Sequence, residues 1–428
     1  MAKVVIAGGG WAGAGAAVAA VQAGADVTLL ERTDMLLGTG LVGGIMRNNG
    51  RFTAAEEAIC MGLGDIFNAV EAVVRHRNID FPGHNHASLY DVAKIEPGIK
   101  NMLQQKGVKV YTRSRVGDVA MDERRIKAVV LDSGEQIAGD AFVDATGSAG
   151  PMANCARYGN GCAMCILRCV TFGGRISLAG RAGVREYMGC KADGSPGAMS
   201  GSCKLHKESL SKNIQEQLNR QGVVVIPVPE TLRKGKVILA KKACQQYALA
   251  DFAENIILLD TGHAKLMSPT YPLDMLRQVP GFENARFEDP YAGGVGNSIR
   301  FLALSPRDDA LKVEGPANLF CAGEKAGPMV GHTEAIVTGA LAGHNAARLA
   351  LGRSLTTIPA TLAVGDYIAF VNEQVRAGVG LTRKFTFSGS VYFKRMMETG
   401  LYTTDVPAIH RRVELAGMSG VFGKNTVT

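Results

Sequence analysis

The sequence predicts an α/β protein with more than one domain, and three observations predict it. The opening 31 residues read as strand, glycine turn, alanine-rich helix and second strand. The same style, strand then glycine then small-residue helix, returns at 318–352. The length of 428 residues exceeds the roughly 250–300 that a single hydrophobic core serves. Apolar residues at 46% and charged residues at 20% exclude a disordered or fibrous chain. The 53 glycines point to backbone that must turn sharply or let a ligand approach closely.

Lys3 to Ala7 is a short β-branched strand. Gly8 to Gly13 turns the chain into a helix over Ala14 to Ala23, which Gly24 ends. Asp26 to Leu30 is the second strand, and a glycine-studded loop follows at 33–50. Helical patterning covers Ala54 to His76. After a loop carrying His84-Asn-His86, it resumes from Tyr90 to Gln105 with a bend at Pro97. Val108–Tyr111, Arg115–Met121 and Ile126–Leu131 read as strands joined in a meander, and Ala141 to Gly147 as a strand ending in a glycine turn. Late in the chain, Asn318 to Ala322 is a strand and Thr333 to Leu351 a small-residue helix stopped by Gly352. The expected domains are a first domain in two parts, 1–150 and 273–360, an inserted α+β domain at 151–272, and a helical, aromatic-bearing segment at 361–428.

Gly8-x-Gly10-x-x-Gly13 carries the first functional signal. It follows a strand, opens a helix and leads to a strand that closes on Glu31, 18 residues after Gly13. This is the context of a dinucleotide-binding unit. Gly8 allows the tight turn, Gly10 lets a pyrophosphate approach backbone, and Gly13 lets helix and strand pack closely. The helix N-terminus offers N–H groups and a positive dipole end, with Trp11 and Ala12 in the turn that leads into it. Glu31 can accept ribose hydroxyls, and Arg32 follows it. Gly43 and Gly44 close the loop beyond. Ala145-Thr146-Gly147 and Gly323-Glu324 lie at the carboxyl ends of two further strands, where ligands of α/β sheets bind.

On these residues, segment 1–150 resembles the FAD-dependent oxidoreductase superfamily, with a glutathione-reductase-like FAD-binding Rossmann domain. Within it, the look is that of the group containing the flavin-bearing subunit of heterodisulfide reductase. Segment 273–352 is similar to the glucose-inhibited division protein A family and its folate-dependent tRNA methyltransferase relative. The residues are Val279 to Ala285, Asn318 to Glu324, Gly331-His-Thr-Glu-Ala335 and Gly339 to Ala347. The resemblance implies FAD as cofactor. It implies that Val116 offers the adenine a backbone contact and that Gly323 and Glu324 approach the flavin end. It also implies that Gly331, Thr333, Glu334 and Ala335 open a helix whose N-terminus faces the isoalloxazine ring, where a helix dipole favours negative charge.

His332, at the start of that helix, is the acid/base candidate; the alternative is a helix-opening residue bonded to backbone. Lys325 is expected to place charge near the flavin or the substrate, and Arg47 and Arg51 to pair with an anionic substrate. Cys155, Cys162, Cys165 and Cys169 place four of nine cysteines within fifteen residues. Three readings stay open: an iron–sulfur cluster, a redox dithiol at Cys162 and Cys165, or buried structural thiols or zinc ligands. His84 and His86 read as a polar loop rather than a metal pair. NAD(P)H stays open as reductant.

The net charge of +8 suits an anionic cofactor or a nucleic acid. Neither basic stretch is a dense run, so nucleic acid is the less favoured partner. The expected partners are a small-molecule substrate or a redox protein, with the chain a homo-oligomer or a complex subunit. A strand already under way at residue 3 leaves no room for a signal peptide, and no apolar run is of membrane-spanning length. The expectation is therefore a cytoplasmic protein without membrane contact. The functional expectation is hydride or electron transfer through FAD. Its alternatives are a folate- and FAD-dependent tRNA or rRNA methyltransferase, and an electron-relay subunit.

Overall fold

The computed structural model describes residues 1–148, 176–190, 194, 198–200, 203–233, 249–267, 271–288, 298–300 and 302–423. The four clustered cysteines lie outside the described residues.

The β-branched run Lys3–Ala7 forms β1, buried on both faces after its first residue. Helix α1 (Trp11–Gln22) is alanine-rich all round and correspondingly buried, and Gly24 at φ +93° ends it. Strand β2 (Asp26–Leu30) follows. The glycine loop holds a single-turn helix α2 (Gly40–Gly43) and a short strand β3 (Ile45–Met46).

The helix expected over 54–76 is instead two helices and the start of a strand. Helix α3 (Gly50–Ala58) passes through a π-turn at Ile59–Leu63 into α4 (Gly64–Glu71). Gly62 sits at φ +111°, and a Cβ there would come within 2.7 Å of Gly423 N. Strand β4 (Val74–Phe81) then pairs with β5 (His84–Tyr90) across a turn at Pro82-Gly83. The hairpin is a long-range packing outcome that local helical periodicity could not register. It also corrects the loop expected at His84-Asn-His86. His84 stacks on Phe81 at 4.6 Å and meets Asn48 through Nδ1, whereas His86 bonds Asn78. Helix α5 (Ile95–Gln105) starts five residues later than expected and carries Pro97 in its first turn, where no N–H is needed.

Strand β6 (Lys109–Tyr111), expected as the first strand of the meander, instead pairs with β2 in the central sheet, and the meander is β7 (Val116–Asp122), β8 (Arg125–Leu131) and β9 (Gln136–Ala138). Strand β10 (Ala141–Asp144) follows. A four-stranded antiparallel sheet is built from β11 (Cys203–Leu205), β12 (Val223–Pro227), β13 (Asn255–Asp260) and β14 (Ala264–Leu266), in the order β11-β14-β13-β12. Helix α6 (Lys212–Gln221) packs on it through Ile214 and Leu218, within an apolar cluster of its own. Late strand β15 (Leu319–Cys321) leads to α7 (His332–Ala350). Helices α8 (Ala363–Arg376), α9 (Ser390–Glu398) and α10 (Val406–Leu415) complete the chain.

The central sheet has the order β15-β10-β1-β2-β6, with every pairing parallel. Early and late strands therefore share one sheet. Strand β1 lies at its middle, flanked on one side by β2 and on the other by β10. The strand order reverses at that point, and in sheets of this kind the ligand crevice lies beyond the carboxyl end of such a strand, here β1. Among the described residues no helix is long and apolar enough to cross a membrane.

Candidate functional site: two helix N-termini over one sheet edge

Three glycines shape the turn after β1, each for its own reason. Gly8 has φ +103°, and a Cβ there would overlap the carbonyl of Ala145. A Cβ on Gly13 would overlap the carbonyl of Gly8, so strand and helix meet backbone to backbone. Gly10 is different: a Cβ there would meet nothing within 4 Å. Open space thus adjoins the first turn of α1, which no side chain caps. Donor N–H groups and a positive dipole end face it.

Glu31 is brought beside this turn. Its Oε2 accepts from Gly9 N at 2.8 Å, while Oε1 accepts from Thr33 N and Oγ1 at 2.9 and 3.0 Å. Burial lowers the Arg32 guanidinium, with the Glu31 charge acting against that. Val116 opens β7, directly after an Arg115 that pairs with Asp132 at 2.8 Å. Asp144 Oδ1 takes the hydroxyl of Thr146 at 2.7 Å and so shapes the Ala145-Thr146-Gly147 turn.

The second N-terminus is that of α7. Helices α1 and α7 lie parallel in direct backbone contact: a Cβ on Gly15 would overlap Ile336 O, one on Gly339 would overlap Ala12 O, and one on Gly343 would overlap Ala16 O. Their N-termini consequently lie at the same end. Gly323, at φ +60°, would place a Cβ 3.0 Å from that of Ala12 and 3.9 Å from that of Ala335. Its N–H donates to Thr338 Oγ1 at 3.0 Å. Gly331 precedes the helix at φ +148°, again with no side-chain cap. Thr333 is fully buried in the first turn, and its Oγ1 has no hydrogen-bond partner among the described residues.

His332 sits at the centre of an aromatic group. Its ring centroid is 6.0 Å from both Trp11 and Tyr90. Tyr90 OH donates to Gly40 O at 2.9 Å and also lies 3.1 Å from His332 Nδ1. Since the phenol has one proton and a carbonyl only accepts, His332 Nδ1 is the donor in the second bond. The neutral imidazole then carries its lone pair on Nε2. Burial pushes the Tyr90 phenol well up, so it stays neutral.

Gly43 presses on the His332 ring, and a Cβ there would overlap the imidazole. Lys265 holds this loop in place, donating to Val42 O at 2.7 Å and Gly43 O at 2.6 Å. Burial, and then the charge of Lys204, bring its ammonium down to about 7. Gly44 at φ +75° ends the turn. Gly43→Ala is expected to cost about 1–3 kcal/mol through overpacking, read from urea unfolding; an unchanged midpoint would mean that loop and ring do not touch.

Several sequence expectations are corrected by partners that only the fold supplies. Arg51 Nε bonds both carboxylate oxygens of Glu334, at 3.1 and 3.0 Å, and Nη2 reaches Val330 O and Thr386 Oγ1. The same carboxylate takes Thr386 Oγ1 and Phe387 N. The side chain of Glu334 is thus engaged within the protein, and Arg51 is not an anion receptor. Arg47 is paired with Glu56 and, at 3.6 Å, with Glu71. Lys325 is fully buried and bonded to Ser177 and Glu186, so its charge is already matched. Glu324 lies in the 3₁₀ turn Gly323–Lys325. Among the described residues no three His, Cys, Asp or Glu gather as a metal site.

Sequence reasoning does not single out Tyr90 or Lys265. Tyr90 falls at the start of a helical pattern, and Lys265 is one lysine among many. Local pattern marks neither: Tyr90 ends a strand that is mostly polar, His84 to Tyr90, and Lys265 is the middle of a three-residue strand.

A parallel sheet with a glycine turn after its central strand, a ribose-type carboxylate beside that turn and a second bare helix N-terminus define a Rossmann-type FAD-binding flavoprotein. Residues 3–157 match the family model of FAD dependent oxidoreductase, and residues 254–354 that of glucose inhibited division protein A. Relatives named methylenetetrahydrofolate–tRNA-(uracil-5-)-methyltransferase TrmFO share part of the chain. That of Prochlorococcus marinus is 36% identical over 100 residues, 23% of this chain and 21% of the relative. That of Maricaulis maris is 37% identical over 98 residues, 23% of this chain and 20% of the relative. The match to that of Bacillus velezensis is 30% over 141 residues, 29% of this chain and 32% of the relative. The chain therefore spans about a fifth to a third of the length of these relatives. In fold it is similar to GidA of Aquifex aeolicus. The match to one crystal form covers 98% of this chain and 73% of that one, at TM-score 0.67 and 16% identity. The match to the other covers 96% and 78%, at TM-score 0.62 and 15% identity.

Proposed function

We propose that the chain is an FAD-dependent oxidoreductase that exchanges a hydride or electrons with a small-molecule substrate or a redox partner, with His332 moving the proton. The observation that carries this reading is the His332–Tyr90–Trp11 group at the uncapped start of α7. The residues fit the cofactor: Gly10 borders open space, both helix N-termini lack caps, and Thr333 Oγ1 is buried without a partner among the described residues. The turn Gly8 to Gly13 with Trp11 and Ala12 would hold the pyrophosphate. Glu31, flanked by Arg32, would accept the ribose hydroxyls, with Val116 toward the adenine. Gly43, Gly44, Gly147, Gly323, Gly331, Thr333 and Ala335 would line the flavin end. FAD, when bound, supplies reversible uptake of two electrons.

The chain's own contribution is positional and acid–base. Tyr90 fixes the His332 tautomer, so that Nε2 takes or gives the proton. Trp11 and the loop at Gly43 exclude water from that side. The test is purification with flavin and anaerobic reduction by NADH, NADPH and a dithiol. Native protein is expected to retain flavin and be reduced by at least one of them. In His332→Gln the flavin should remain while the rate falls about 10²–10⁴-fold and loses its pH dependence. Protein that purifies without flavin, or a variant as fast as the native chain, would sink the proposal.

The likeness of residues 254–354 to the division protein, and of part of the chain to enzymes named tRNA methyltransferases, favours a second reading: folate- and FAD-dependent methylation of uridine in RNA. Transfer of label from methylenetetrahydrofolate to tRNA tests it. Iron and sulfide assayed on the same sample test the cluster reading of Cys155, Cys162, Cys165 and Cys169.

A further inference from the structure

Away from His332, a cleft of about 340 Å³ opens between the start of β4 and helix α6. It shares no lining residue with the aromatic group. Arg75 and His76 line it from β4, Asp91 and Lys94 from the segment between β5 and α5, and Asn219 from α6. Behind it lies Asp260, fully buried, which accepts from Lys207 Nζ at 2.7 Å, His76 Nε2 at 2.9 Å and Arg75 Nε at 3.0 Å. Burial pushes the Asp260 carboxyl up. The hydrogen bonds from Lys207 and His76, with the charges of Lys207 and Arg75, more than offset this and hold it below its ordinary value. It is therefore a fixed anion.

The hydrogen-bond inventory of the cleft is one-sided. Its carboxylate and side-chain amide oxygens are engaged by the protein: Asp260 as above, Asp91 Oδ1 to Ala93 N, Asp91 Oδ2 to Arg75 and Lys94, and Asn219 Oδ1 to Lys207. Its donors are not. Arg75 Nη2 and Asn219 Nδ2 make no hydrogen bond among the described residues. Among the described residues Lys94 Nζ has only Asp91, at 3.8 Å, and its side chain is 71% exposed. Three cations, Arg75, Lys94 and Lys207, face two carboxylates, and both carboxylates are buried. A cavity that offers donors and a positive balance is complementary to an acceptor-rich anion. Its volume lies in the range of small-ligand sites.

We propose that this cleft binds the phosphate group of a small phosphorylated ligand, with Arg75, Lys94 and Asn219 as its donors. The test uses the full chain loaded with FAD, so that the cofactor's own phosphate positions are filled. Inorganic phosphate is titrated by calorimetry at constant ionic strength, and a short oligoribonucleotide is titrated separately. Asn219→Asp and Lys94→Glu serve as variants: Lys94 is at the surface, and the carboxylate introduced by Asn219→Asp still accepts from Lys207. Saturable phosphate binding, weakened about tenfold or more in both variants with flavin content and melting unchanged, is the expected result. Phosphate that does not saturate, or that binds both variants as it binds the native chain, overturns the proposal. Oligoribonucleotide binding sensitive to Lys94→Glu without saturable phosphate binding also overturns it, in favour of a nucleic-acid backbone.

Discussion

Gly343→Val is expected to give protein that neither melts cooperatively near the native temperature nor holds flavin. The cause is the contact between α1 and α7. Gly343 faces the backbone carbonyl of Ala16, and Gly339 faces that of Ala12 one turn earlier. A backbone carbonyl inside a packed helix cannot swing aside as a long side chain can, so the valine must push the helices apart. Ala12, Ala16, Ile336 and Ala340 are all buried at or beside this contact and would lose it together. Overpacking alone costs about 1–3 kcal/mol, and the lost packing adds to it. The shift also carries the start of α7 away from Gly323 and Ala12. Gly98→Ala is the control. Gly98 is an exposed residue within α5, and a Cβ there meets nothing within 4 Å. That change should instead stabilise by about 0.5–1 kcal/mol. Thermal melting with flavin absorbance reads both. A Gly343→Val chain that melts as the native one does would mean that the helices are not in backbone contact.

Removing one partner of the Arg51–Glu334 pair is the second large effect. Both groups are buried, the carboxylate completely. Glu334→Ala would leave the Arg51 guanidinium without its counter-charge, and Thr386 Oγ1 and Phe387 N without their acceptor. The expected loss is about 3–5 kcal/mol, measured by urea unfolding. The double variant Arg51→Met with Glu334→Leu should lose distinctly less, because no unpaired charge remains. A single variant that costs no more than the double would show that the pair is not desolvated. The pair also ties α3 to the first turn of α7, so the single variant should release flavin before it unfolds.

The helix expected at 54–76 shows where local pattern misleads. Its residues do form helix as far as Glu71, but Val74 onward joins β5. Val74 to Phe81 alternates only in two short runs, 74–77 and 78–81, which slip by one residue between Arg77 and Asn78, so no unbroken strand period runs through it. The pairing is set by the turn at Pro82-Gly83 and by the neighbours the hairpin packs against. The same displacement takes Tyr90 out of a predicted helix and puts its hydroxyl beside His332.

Elements whose cause is local were determined by the sequence itself. The strand Lys3–Ala7, the turn at Gly8, Gly10 and Gly13, the carboxylate of Glu31 and the long small-residue helix after Gly331 lie within a residue or a few of their expected places. Each depends on a glycine's freedom or on a side-chain period, and both are properties of neighbours along the chain. The tertiary structure decided which charges are available and which groups meet. Arg47, Arg51 and Lys325 look in sequence like cations waiting for a substrate, but Glu56, Glu334 and Glu186 neutralise them. Tyr90 meets His332 across 242 residues of chain, and Lys265 reaches Gly43, which presses on the same ring, across 222. The reason is physical: burying an unpaired charge or an unsatisfied donor is expensive, so partners are selected by three-dimensional proximity, which no local pattern encodes.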